Sequence, residues 1–145
     1  MRMREIVVLA GVAGIAVLAV IGVAIAGCGD EFKEQAEQAC REGRVQLETI
    51  EKTARSPAEQ VARSATVVER TRARLAKLNP PSGDRDAFDR YLRALDRLIV
   101  LEPRVATAIK DGDIGQAQRL GPRVNRADRM AKGAAAEAGL GECAK

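Results

Sequence analysis

The chain has no histidine and no tryptophan, and its only aromatic side chains are Phe32, Phe88 and Tyr91. Without histidine it lacks the commonest general base, a common zinc ligand and every Ser-His or Cys-His pair. No enzyme, cofactor or metal site is expected. With so few aromatics, the core must come from Leu, Val, Ile and Ala. Such a core buries little area per residue, so a body of this size needs a staple. C-x-x-C is missing, which favours structural over redox cysteines. Strand-like alternation, repeats and low-complexity linkers are missing too. The net charge of +4 is modest for 145 residues and does not suggest a nucleic-acid binder.

Hydrophobicity is present in quantity but is spent unevenly. Arg2 and Arg4 precede a run from Ile6 to Ala26 with no charge, and Asp30, Glu31 and Lys33 follow at once. A basic start, an apolar run and small residues at its end describe an export signal. The positive start keeps the N-terminus on the cytoplasmic side. The run ends Ile25-Ala26-Gly27-Cys28: a branched aliphatic residue, two small residues, then cysteine. This resembles the lipobox of bacterial lipoproteins over the first 28 or so residues. The resemblance implies cleavage between Gly27 and Cys28 and a diacylglyceryl group on the Cys28 sulfur. Two acyl chains anchor stably where one anchors marginally. Residues 1–27 are then the signal peptide, 28–30 a lipid-attached tether and 31–145 the body, on the extracytoplasmic face of the cell membrane. Removing 1–27 takes away Arg2, Arg4 and Glu5 and leaves +3. The run is long for a signal peptide, and an uncleaved single-pass anchor is the alternative.

The body reads as four helices. Over 31–54, Ala36, Cys40, Gly43, Leu47, Ile50 and Ala54 form a heptad face. Ser56-Pro57-Ala58-Glu59 restarts the chain with an N-cap, a proline at the first helical position and a capping box. The second helix runs to about Leu78 behind Val61, Ala65, Val68, Leu75 and Leu78. Asn79-Pro80-Pro81-Ser82-Gly83 breaks it. The third helix, from about Asp84 to Asp111, is lined by Phe88, Leu92, Leu95, Leu98, Val105 and Ile109. Gly112 closes it and Asp113 caps the fourth, about 114–138, with Gln116 three residues on. Ala117, Leu120, Val124, Ala127, Ala131, Ala134 and Ala138 line that helix. Short loops imply antiparallel neighbours, so the predicted fold is all-α, an up-down-up-down four-helix bundle. In its Ala, Arg and Gly content the body resembles small secreted helical domains of unknown function from GC-rich bacteria.

Four features bear on function. Cys40 and Cys143 remain after Cys28 is assigned to lipid. Export permits a disulfide, and the topology returns the end of helix four beside the start of helix one. That bond closes a loop of about 100 residues, worth up to ~4.7 kcal/mol in the entropic treatment. Arg70, Arg72, Arg74 and Lys77 crowd the end of helix two, and Arg126, Arg129 and Lys132 the second half of helix four. Both sets face the anchored end and are candidates for anionic head groups; they also suit helix C-termini. Pro103 and Pro122 fall at similar heights on neighbouring helices and read as two tolerated kinks, the sharper alternative being that paired kinks open a small cavity. The acids of Asp111-Gly112-Asp113 and of Asp84, Asp86 and Asp89 are read as helix-end residues, not as metal or catalytic groups. The expected role is a lipid-anchored binding or scaffolding module of unknown partner. The alternative is a small-ligand carrier using the interior near the prolines.

Overall fold

The computed structural model describes residues 27–145 and contains four helices in chain order: α1 (Gly27–Thr53), α2 (Pro57–Leu75), α3 (Arg85–Lys110) and α4 (Ile114–Glu137). Residues 1–26 and the Cys28 side chain lie outside the described residues, and with them the signal segment, the cleavage point and the lipid site expected at Cys28. Among the described residues there is no strand, and no helix is long and apolar enough to cross a membrane. The fold is an all-α four-helix bundle in which each helix packs on the next in sequence.

The helix ends follow from their residues. Ser56 caps α2 by accepting from the Glu59 amide at 3.2 Å, and Pro57 opens the helix. The Glu59 carboxylate reaches back one residue further than a standard capping box, to the Arg55 amide at 3.0 Å. α2 ends at Leu75, short of the expected 78, because 76–78 tighten into a turn bonded to the carbonyls of Arg72, Arg74 and Leu75. At the α3–α4 corner Gly112 takes φ 73°. The Asp113 amide bonds to Ala108 O and the Gly112 amide to Ile109 O, a Schellman closure. Asp113 then accepts from the Gln116 amide at 2.8 Å and starts α4.

Residues 139–145 depart from the simple bundle. α1 and α4 do not pack backbone against backbone. Gly139, at φ 68°, ends α4 with a second Schellman closure, in which the Leu140 amide bonds to Ala135 O. The chain turns toward α1, and Leu140 becomes fully buried. The tail thus fills the side of the bundle that α4 leaves open, docked by a bond from the Gly141 amide to Glu37 at 3.1 Å.

The core is concentrated at the end where α1 begins. Phe32 and Phe88 meet edge to face with centroids 5.0 Å apart, beside Leu75, Tyr91 and Leu140. α4 contributes chiefly alanine there (Ala127, Ala131, Ala134, Ala135, with Ala138 just past its end), and these small side chains let α3 and α4 approach closely. At the far end Ile50, Ala65, Val67, Ala106 and Ala108 are buried outside that main cluster.

Candidate functional site

Cys40 on α1 is bonded to Cys143 on the tail, with Cα atoms 5.1 Å apart and 103 residues between them in sequence. The Tyr91 hydroxyl lies 3.5 Å from Cys40 Sγ, which it can approach only as a weak donor. Burial pushes the Tyr91 phenol up to about 12, so it stays protonated. One turn along α1, Arg44 pairs with Glu142 of the tail. Glu142 also accepts from Lys145 at 2.6 Å, and Lys145 first, then Arg44, holds its carboxyl down to about 2.

These groups edge a recess of about 270 Å³ that the tail leaves between α1 and α4, floored by α2 and α3. Leu47, Val67, Val68, Leu95, Leu98 and Ala131 supply apolar lining, and the disulfide forms part of the wall. Arg44, Asp128 and Lys132 supply its charges, with Glu142 and Lys145 from the tail. Asp128 and Lys132 pair with each other along α4 at 3.2 Å. Arg44 uses Nη2 on Glu142, but its Nη1 is buried and has no hydrogen-bond partner. A buried guanidinium nitrogen in this state leaves a donor without its bond. The recess thus combines apolar walls with one cation able to receive an anionic group.

The prolines lie elsewhere. Pro103 and Pro122 are exposed, and both helices continue through them. Pro103 lines a groove between α2 and α3, and Pro122 a different groove between α3 and α4. They do not share an interior cavity, because each ring points away from the packed face. The recess beside Tyr91 and Leu95 is a different one, and neither proline lines it.

The seven cations assigned to head groups do not act alike. Arg72 reaches Asp96 with two contacts, at 2.7 and 3.1 Å. Arg74 pairs with Glu42, whose carboxyl is held low chiefly by that hydrogen bond, and Lys132 pairs with Asp128. These three tie helices together or steady α4. Arg70, Lys77, Arg126 and Arg129 are exposed and make no ion pair among the described residues.

Sequence reasoning missed Glu102. It occupies the α3 heptad slot between Leu98 and Val105, and its Oε2 is buried without a partner. Burial first, then the nearby Asp128 charge, pushes its carboxyl up to about 7. The signal was the gap in the apolar pattern between those two residues.

No protein family matches the chain, and neither a curated protein nor a solved structure does.

Proposed function

We propose that this protein is a lipid-anchored extracytoplasmic binding module whose recess between α1 and α4 takes a small amphipathic anion. The address rests on Ile25-Ala26-Gly27-Cys28, which resembles a lipobox. The binding reading is carried by one observation: the unpartnered, buried Nη1 of Arg44 beside a recess with largely apolar walls. The Arg44 side chain as a whole is about one-third exposed, so a carboxylate or phosphate head would complete the guanidinium's bonds once a small rotation brings Nη1 out of its enclosed position, and a short apolar group would fill the volume. The size favours a compact ligand, because about 270 Å³ lies just below the ~300–1,000 Å³ usual for ligand pockets. Arg70, Lys77 and Arg129 supplement the anchor where they meet anionic head groups. If residues 1–27 are retained, the same module hangs from a single transmembrane helix.

The test is a melting-temperature screen of the full-length protein in neutral detergent against small apolar carboxylates and their amides. Carboxylates are expected to raise the melting temperature, and the amides to do so less. Arg44→Gln should remove the difference. Glu142→Gln, which frees Arg44 from its ion pair, should preserve it. Equal shifts from acids and amides, or no shift from either, would contradict the reading.

A further inference from the structure

The face formed by α3 and α4 carries a furrow unconnected with the recess. Val100, Leu101, Ala127 and Met130 line it, in a volume of about 660 Å³. Val100 is 61% exposed and Met130 46% exposed, two of the most exposed large apolar residues among those described. The furrow continues past Arg97 and Met130 toward Arg90 and Glu137. From Arg104 to Arg90 it follows α3 for roughly 20 Å, the length of a helix of about 14 residues.

Its rim is basic and unpaired. Arg97, Arg104, Arg123 and Arg126 border it, and none has a carboxylate partner among the described residues. Arg55, Arg70, Arg85, Arg119 and Arg129 are unpaired as well, so what sets this rim apart is that its arginines flank one apolar furrow. Arg44, Arg72, Arg74 and Arg90 each cross to a carboxylate on another segment. The acid bordering the furrow, Asp96, is already held by Arg72. The rim therefore offers three free guanidinium forks, Arg104, Arg123 and Arg126, which suit carboxylates in two-point contacts better than lysines do, while Arg97 donates from Nη1 to Met130 Sδ at 3.3 Å.

We propose that this furrow docks an acidic amphipathic helix of a partner protein. Apolar residues at i, i+3, i+4 and i+7 would lie on Val100, Leu101 and Met130, with Glu or Asp on both flanks meeting the arginines. A furrow between two helices accepts a third cylinder by the same ridge-and-groove fit that packs the bundle. A bilayer fits less well. The stretch from Arg97 to Arg104 lies roughly 18–28 Å along α3 from Arg85, the end at which the chain enters from residue 27, and the furrow runs along the bundle axis. A second copy also fits less well, because the exposed outer face of α1 offers Val45 as its large apolar residue and intersperses its acids with Arg41 and Lys52.

The experiment uses the full-length protein in phosphatidylcholine nanodiscs and a set of fluorescent 14–18-residue peptides. These are Leu/Glu helices with the i, i+3, i+4, i+7 pattern and scrambled isomers of the same composition. Anisotropy should show binding to the patterned peptides and at least about tenfold weaker binding to the scrambled ones. Arg104→Ser with Arg123→Ser should weaken patterned binding about tenfold, and Val100→Asp should do the same, with unchanged circular dichroism and melting. Arg41→Ser with Arg119→Ser should change little. Equal binding of patterned and scrambled peptides, no binding of either, or indifference to both furrow variants would overturn the proposal. So would furrow variants that lose affinity for anionic nanodiscs while keeping the peptide, which would assign the furrow to membrane. Concentration-dependent dimers abolished by Val100→Asp, with peptide binding intact, would assign it to self-association.

Discussion

Glu102 carries an unusual electrostatic cost for so small a core. Its folded carboxyl titrates near 7, against an ordinary value of 4.5. Between those two pH values the folded state holds the extra proton, so stability falls as pH rises from about 4.5 to about 7 and this contribution is then level. Glu102→Leu should remove that slope and raise stability at pH 8 by about 1–3 kcal/mol. Urea denaturation at pH 5 and pH 8 checks it; an unchanged slope would mean that water reaches the carboxylate. Glu142 has the opposite sign. Its carboxyl is held down to about 2, so its contribution is present above 4.5 and is lost as acid takes the pH toward 2. Tail docking should weaken in that acid window, read as a lower protection factor of the Gly141 amide against the unstructured rate at the same pH. The Cys40–Cys143 pair was legible in the sequence because the expected export, the bundle topology and an odd cysteine count converged on it. Glu102 was not, since a charge in a heptad reads as surface until the neighbouring helices are in place.

At the scale of elements, capping chemistry made the chain readable. Ser56-Pro57-Ala58-Glu59, the Asn79–Gly83 break and Asp111-Gly112-Asp113 mark the three corners, and α2, α3 and α4 begin within a residue of the positions they dictate. The segment after α4 was harder. Seven residues carry no periodicity, yet Gly139 followed by Leu140 is the pairing that a Schellman closure uses, a left-handed residue and then an apolar contact. Gly139→Ala should cost about 1–2 kcal/mol through its positive φ and should speed reduction of the disulfide, measured by thiol release under dithiothreitol. An unchanged rate would show the tail held by Leu140 and the ion pairs alone. The recess was not legible, because its volume depends on how far α4 stands from α1, which no single helix pattern encodes.

At the scale of the whole molecule, one covalent link and one anchor organise the account. α1 lies backbone to backbone with α2 alone among the helices and meets α3 only through side chains such as Phe32 on Phe88, so the Cys40–Cys143 bond and the Arg44–Glu142 pair fasten it to the far end of the chain. Reduction should lower the melting temperature clearly, with up to about 4–5 kcal/mol at stake for a loop of this length. The loss should be greatest in hydrogen-exchange protection around Ile50 to Val67, where the core is thinnest. Two alkylatable thiols in protein taken from the cell envelope would contradict the bond itself. In the proposed function the bundle supplies the binding surface and lipid on Cys28 fixes where that surface works. The most direct test is intact-mass spectrometry of the protein extracted from membranes of the producing cell. The expected result is a chain that begins at Cys28, lacks residues 1–27 and carries the added mass of a diacylglyceryl group, lost in Cys28→Ser. A mature chain that retains residues 1–27 without lipid would contradict it.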